Sequence, residues 1–128
     1  MRLYTARFAN RTLAPHPAAK VQISLGAPKF PLPYNLHQLL ELAPAGFMLH
    51  KPEADFAGLY TKLLQRRGGA EFFAERFAEV ARTAGVDQLA LLCYEDLRTP
   101  GLWCHRRVFA SWYQEQVGEE VLEIEEAA

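Results

Sequence analysis

The middle of the chain carries two successive stretches of apolar residues at helical spacing. In the first, between residues 52 and 67, apolar side chains recur every three to four positions and form one stripe for burial: Phe56, Leu59, Tyr60, Leu63 and Leu64. Pro52 suits a first helical turn, and Gly68 follows the last turn. The second stretch begins near Ala70, repeats the spacing and stops at Gly85. The pattern predicts two consecutive helices.

Four shorter stretches have the pattern of β-strands. Residues 1–8 are rich in β-favouring side chains, and residues 20–25 alternate between polar and apolar positions. Residues 86–93 contain a continuous apolar run that is too short for a helix, which is typical of a strand covered on both faces. Residues 120–124 suit a last strand. We therefore expect residues 86–93 to lie in the centre of a sheet.

Capping and stop signals define the remaining elements. Asn35 can cap a short helix, because Gln38 stands three residues later at the capping-box position. Residues 46–50 are either a brief strand or a buried turn, and so short a run does not decide between the two. A further helix is predicted from about residue 104 to residue 117, with Gly118 as its stop.

The order of these elements determines the expected fold class. Strands alternate with helices, and a strand–helix–strand connection within one sheet is right-handed. The chain has 128 residues, which fits one domain of ordinary size. We therefore predict a single α/β domain over residues 1–128, built as a small three-layer sandwich with a largely parallel sheet.

Composition excludes several classes of protein. Half of the residues are apolar and 23% are charged, as in a globular protein and unlike a disordered or coiled-coil chain. The net charge of -1 excludes a global basic field of the kind that binds nucleic acid or anionic membranes. Five glutamates fall in the last ten residues, where we interpret them as a solvated end: Glu119, Glu120, Glu123, Glu125 and Glu126.

Two further features bear on location. No run approaches the roughly 20 apolar residues that cross a bilayer, so we expect no membrane partner. Two cysteines cannot form a disulfide-rich secreted scaffold, and the first residues lack the apolar core of a signal peptide. The sequence predicts a cytoplasmic protein that is a monomer or a homodimer.

One constellation has the residue types that chemistry needs. Cys93 and Glu95 lie where the predicted central strand ends. Cys104, His105 and Arg106 lie where the next helix begins. In parallel α/β sheets, ligands bind beyond the carboxyl ends of the strands, where helix N-termini favour anions. A thiol at such a terminus, beside His and Arg, is in surroundings that favour the nucleophilic thiolate. We expect an anion-binding, cysteine-containing site there.

The same residues carry a family resemblance. Cys93-Tyr94-Glu95, followed after a loop by Cys104-His105-Arg106, resembles the C-x-E...C-H-R signature of the domain of unknown function 488 family. Residues 3–10 and 23–28 are similar to a short-chain branch of that family. The resemblance implies an α/β fold and a site at the matched residues, without an established activity. Longer relatives carry Asp-x-Arg where this chain has Ser24-Leu25-Gly26, so a carboxylate and a guanidinium are missing from the implied site.

The favoured hypothesis is a thiol-dependent enzyme that acts on a phosphate- or carboxylate-bearing substrate. In it, Cys104 is the nucleophile or redox centre, and His105 or Glu95 moves the proton. The candidate ligand-binding residues are Arg106, Cys93, Trp103 and Ser24. Cys93 either packs in the core or resolves an oxidised Cys104 by forming a disulfide.

Two other hypotheses use the same loop without chemistry. In a nucleotide or nucleic-acid binding module, the residues before the acidic end, which carry fourteen bases against ten acids, hold phosphates, and Trp103 stacks on a base. In a structural role, Glu95 and Arg106 form a buried ion pair that fixes the loop. The expected partner is an anionic small molecule or a nucleic acid, and no cofactor is predicted. No metal site is predicted either, because there is no C-x-x-C pair and the adjacent Cys104 and His105 would project in different directions.

Overall fold

The computed structural model describes residues 1–126, and a parallel β-sheet runs through this part of the chain. The strands are β1 (Arg2–Arg7), β2 (Ala19–Gln22), β3 (Leu36–Gln38), β4 (Gln88–Cys93) and β5 (Val121–Glu123). They lie in the order β3-β2-β4-β1-β5, and every neighbouring pair is parallel. The prediction that the apolar run ending at Cys93 is the central strand is therefore confirmed.

Three α-helices fill the connections within the described residues: α1 (Glu53–Arg66), α2 (Gly69–Ala84) and α3 (His105–Val117). The helices predicted at residues 52–67, from about residue 70 to Gly85 and at residues 104–117 are confirmed to within a few residues at each end. Gly68 and Gly69 have positive φ angles of 131° and 73°, which L side chains rarely adopt. These two glycines let the chain reverse between α1 and α2 without a longer loop.

The helices lie on one face of the sheet because of the direction in which the chain crosses it. The β3-to-β4 connection, through α1 and α2, and the β4-to-β5 connection, through α3, move across the sheet in the same direction. Right-handed crossovers that move in one direction lie on one face. The β1-to-β2 connection moves the opposite way and lies on the other face.

The two faces of the sheet bury separate apolar clusters. The larger cluster joins the helices to side chains of the sheet, including Val21, Leu89 and Leu91. The smaller cluster joins Ala90 and Leu92 of β4 to connecting segments that carry Phe8, Leu13 and Tyr34, among others. The sheet thus lies between a layer of helices and a layer of connecting segments. The predicted α/β sandwich is confirmed, and its sheet is parallel throughout.

The prediction of a helix capped by Asn35 is wrong. Residues 36–38 instead form β3, and Leu39 donates its N–H to the carbonyl of Gln22 at 3.0 Å. Pairing with β3 satisfies the backbone N–H and C=O groups that β2 would otherwise expose at the edge of the sheet. The stabilisation from this pairing outweighs the local capping signal. A short 3-10 helix, Leu40–Leu42, then follows. Residues 46–50 form a second 3-10 helix that buries Met48, which agrees with the buried-turn alternative.

The fold places one end of the central strand beside the start of α3. Residues 89–93 are all buried, and Cys93 is the last residue of β4. The chain then loops for ten residues and enters α3 after Cys104, whose extended backbone (φ -141°, ψ 150°) is that of an N-cap residue. Within the described residues, no helix is long and apolar enough to cross a membrane.

Candidate functional site

The two cysteines meet at the carboxyl edge of the sheet. Cys93 ends β4 and Cys104 precedes α3, and their sulfur atoms form a disulfide although the residues are 11 positions apart. Cys93 is 1% exposed and Cys104 is 2% exposed. The site is therefore closed to bulk water, and Cys93 belongs to the site in addition to packing in the core.

His105 has a different neighbour at each ring nitrogen. Its Nε2 lies 2.8 Å from the carbonyl oxygen of Ile23, and its Nδ1 lies 3.7 Å from Sγ of Cys104. A carbonyl oxygen can only accept, so Nε2 carries the proton and the lone pair of Nδ1 faces the sulfur. Burial lowers the pKa of His105 to about 4, and the charge of Arg106 acts in the same direction. The imidazole is neutral at physiological pH.

Arg106 is fully buried and all its guanidinium nitrogens are engaged by the protein. Nε and Nη2 bind the two carboxylate oxygens of Glu123 at 2.9 and 2.8 Å. Nη2 also donates to the main-chain oxygen of Glu95 at 2.8 Å, and Nη1 lies 3.2 Å from Sγ of Cys93. A bidentate carboxylate is the partner that a buried guanidinium requires. These contacts use four of the five guanidinium N–H groups of Arg106 within the protein.

Glu95 touches the site in two ways, and neither is the ion pair expected from the sequence. Its main-chain carbonyl accepts from Arg106, while its side-chain Oε2 lies 3.7 Å from Sγ of Cys93. The ion pair of Arg106 is with Glu123 instead, whose side chain is 36% exposed. The structural hypothesis therefore names the wrong partner for Arg106. The main-chain carbonyl of Glu95 reaches the guanidinium, and the carboxylate of Glu95 faces the sulfur of Cys93.

Trp103 and Ser24 lie near the cluster, but their side chains have other partners. The ring of Trp103 is partly buried, with its centroid 4.7 Å from that of Phe56. The hydroxyl of Ser24 donates to the carbonyl of Gly26 at 2.7 Å. Ser24 therefore stabilises the turn after β2, and only its neighbour Ile23 contacts the site.

Sequence reasoning missed Glu123 and Thr5. Thr5 donates its hydroxyl to Oε1 of Glu123 at 2.8 Å, so this carboxylate joins β1, β5 and α3. The expectation that the last glutamates are a solvated end is wrong for Glu123, and also for Glu126, which pairs with Arg7 at 2.9 Å. A signal was present: Glu123 falls two positions after Val121, on the same side of a strand whose Val121 is buried.

The charged groups at the rim pair with one another. Arg98 binds the carboxylate of Asp96 at 2.9 Å, and Arg7 lies 3.9 Å from the same carboxylate. Hydrogen bonds from Arg98 hold the pKa of Asp96 well below its ordinary range, and Arg7 adds to this effect. The arginines at this edge of the sheet therefore pair with carboxylates. The anion-binding site predicted from the sequence stays a prediction.

Three possible metal ligands meet at the same place. Among the described residues, Sγ of Cys93, Sγ of Cys104 and a ring nitrogen of His105 all lie within 4.8 Å of one another. The premise that Cys104 and His105 project in different directions is wrong. The extended backbone of Cys104 and the helical start at His105 turn both side chains to the same side.

No family model, curated protein or solved structure matches the chain. The resemblance to the domain of unknown function 488 family accordingly stays a prediction from the sequence.

Proposed function

We propose that this chain is a thiol-dependent redox enzyme, with Cys104 as the nucleophile and Cys93 as the resolving thiol. The observation that carries the proposal is the contact between two sulfurs 11 residues apart, each beside its own proton acceptor. Nδ1 of His105 faces Cys104, and Oε2 of Glu95 faces Cys93. Two cysteines that only packed in the core would not need a proton acceptor beside each sulfur.

Burial limits the oxidant to a small molecule. Both cysteines are at most 2% exposed, so a protein disulfide cannot reach them in the folded chain. A hydroperoxide is the small oxidant that two thiols reduce by two electrons. We therefore take a hydroperoxide as the substrate class.

The first step makes a sulfenic acid at Cys104. Its sulfur attacks one peroxide oxygen, so an S–O bond forms and the O–O bond breaks. The thiol proton passes through Nδ1 of His105 to the departing oxygen, which leaves as an alcohol or water. The geometry of His105 suits this transfer, because its Nδ1 lone pair is held towards the sulfur by the bond from Nε2 to Ile23.

The second step closes the disulfide. The sulfur of Cys93 attacks the sulfenic sulfur, so an S–S bond forms and the S–O bond breaks. The proton of Cys93 passes through Oε2 of Glu95 to the departing hydroxide, which leaves as water. Arg106, 3.2 Å from Sγ of Cys93, stabilises the developing thiolate. Two molecules of a small thiol then reduce the disulfide and leave as their own disulfide.

The test is the reaction of the reduced, metal-free protein with one equivalent of hydroperoxide, followed by mass spectrometry. We expect the wild type to lose two hydrogens as the disulfide forms. Cys93→Ser should stop at a sulfenic acid that dimedone traps, and Cys104→Ser should lose the fast reaction. His105→Gln should slow the reaction roughly a hundredfold, the usual contribution of a proton-transferring group.

Ser111→Ala is the matched control, because Ser111 is exposed on α3, about two turns of helix after His105. It should react like the wild type. The proposal is overturned if the folded protein reacts no faster than the urea-unfolded chain. It is also overturned if Cys104→Ser reacts as fast as the wild type.

The remaining expectations belong to the same proposal. Cycling between dithiol and disulfide suits the cytoplasm, where small thiols return the disulfide to the dithiol. The C-x-E...C-H-R residues all contribute to one cluster, which supports the proposed family membership. A phosphate or carboxylate group on the substrate and the nucleic-acid alternative stay predictions, and no contact of Arg106 or Trp103 favours them.

A further inference from the structure

We propose that the reduced protein binds one divalent metal ion of the zinc class through Cys93, Cys104 and His105. This inference goes beyond the proposed function, because neither redox step uses a metal. It rests on the positions of three ligand atoms and on the groups that surround them, and it does not need the protein to reduce a peroxide.

The ligand spacing suits a tetrahedral ion. Zinc–sulfur bonds of about 2.3 Å and zinc–nitrogen bonds of about 2.0 Å place neighbouring ligand atoms roughly 3.5–3.8 Å apart. Nδ1 of His105 is already 3.7 Å from Sγ of Cys104. The Cα atoms of the two cysteines are 7.3 Å apart, so the reduced sulfurs have room to separate on either side of an ion.

The ring of His105 is held as a metal-ligating histidine usually is. Such a histidine donates its other ring N–H to a carboxylate or a backbone carbonyl, which fixes the tautomer and the orientation. Here Nε2 lies 2.8 Å from the carbonyl oxygen of Ile23. The lone pair of Nδ1 is therefore available in the direction of the two sulfurs.

The charges around the site favour a divalent cation, and the Glu95 carboxylate adds one negative charge beyond neutrality. Two thiolates neutralise the ion, and the buried charge of Arg106 is already neutralised by Glu123. Arg106 also donates to Sγ of Cys93, a contact that supports a ligating thiolate. Oε2 of Glu95, 3.7 Å from the same sulfur, is placed to be the fourth ligand directly or through a water molecule. Thiolates with imidazole select zinc over magnesium or calcium.

Metal binding and the disulfide exclude each other. The metal takes the place of the two thiol protons, which are released to solvent. The oxidised chain has bonded sulfurs and no thiolate to offer, so it should not bind the ion. The oxidised wild type is thus a control that needs no substitution.

The test uses Co²⁺ as a spectroscopic probe on the full chain, reduced with a phosphine. We expect thiolate-to-cobalt charge transfer and the visible bands of a tetrahedral ion, saturating at one ion per chain, and loss of both when Zn²⁺ is added. Cys93→Ser and Cys104→Ser should abolish the charge-transfer band. His105→Gln should weaken binding by more than roughly a hundredfold, because loss of a supporting group alone costs about ten- to a hundredfold.

His50→Gln is the matched histidine control, since His50 is exposed and lies in a 3-10 helix distant in sequence from the three ligands. Circular dichroism checks that each variant is folded. The proposal is overturned if the reduced, folded wild type shows no cobalt bands. Equal binding by the oxidised protein or by His105→Gln also overturns it. The peroxide experiment is run in a chelator, so the proposed redox function can fail or succeed independently.

Discussion

His105 shows how burial determines the chemistry of a single residue. His105 is 7% exposed, and this burial lowers the pKa of its imidazole to about 4. The Ile23 carbonyl then decides which nitrogen keeps the proton. The sequence predicted His105 as a candidate site residue from its neighbours. It could not identify the tautomer, because Ile23 lies 82 positions away.

The lowered pKa makes stability depend on pH in a defined window. Because the folded value of about 4 lies below the ordinary 6.5, the unfolded chain takes up this proton first as pH falls. Stability is full above pH 6.5 and is lost towards pH 4. For the oxidised protein, we expect the free energy of unfolding to be about 2 kcal/mol lower at pH 5 than at pH 7 from this residue.

Urea unfolding at the two pH values measures this loss. His105→Gln should lose about 2 kcal/mol less than the wild type on going from pH 7 to pH 5. The partly buried His16, whose pKa desolvation also lowers, is present in both proteins and cancels from the comparison. Equal losses in the two proteins would contradict a neutral His105.

At the scale of elements, the short strand β5 has a larger role than its three residues indicate. It pairs with β1, and Glu123 connects it to Thr5 of β1 and to Arg106 of α3. The sequence predicted the strand, but its glutamates were interpreted as solvated. Composition alone cannot distinguish a tail that ends in water from a strand that presents one carboxylate to a buried guanidinium.

This connection predicts the cost of removing one charge from β5. Glu123→Gln leaves Arg106 buried without a carboxylate, which should lower the free energy of unfolding by about 2 kcal/mol, less than for a fully buried pair because Glu123 is partly exposed. The exposed Glu120, just before the strand, is the control, and Glu120→Gln should cost less than about 0.5 kcal/mol. Urea unfolding at pH 7 measures both. Equal costs would mean that the ion pair contributes nothing measurable.

At the scale of the whole molecule, the disulfide joins the central strand to the helix that follows it. It closes a loop between positions 11 apart, and chain entropy gives such a cross-link about 3 kcal/mol of stabilisation. We expect a phosphine reductant with chelator to lower the free energy of unfolding of the wild type by about this amount. The Cys93→Ala, Cys104→Ala double variant should be insensitive to the reductant. A reductant effect that persists in the double variant would contradict the assignment.

The sequence by itself determined the fold class and most of the elements. One apolar stripe predicts each of the helices α1 and α2, and a continuous apolar run predicts β4. Burial requires these spacings of apolar residues, whichever element the helix or strand packs against. The carboxyl end of β4 and the start of α3 share a loop, so the sequence also indicated that Cys93 and Cys104 lie at the two ends of one loop. These are consequences of local pattern and chain order.

Tertiary structure decided how the site residues meet. The partner of Arg106 is Glu123, 17 positions later, and the acceptor for His105 is Ile23. The sheet order places β2 beside β4 on one side, and β1 followed by β5 on the other. The edge strand β3 replaced a locally signalled helix, since a bare strand edge needs a partner. Contacts between distant positions depend on the order of strands, and no local pattern records that order.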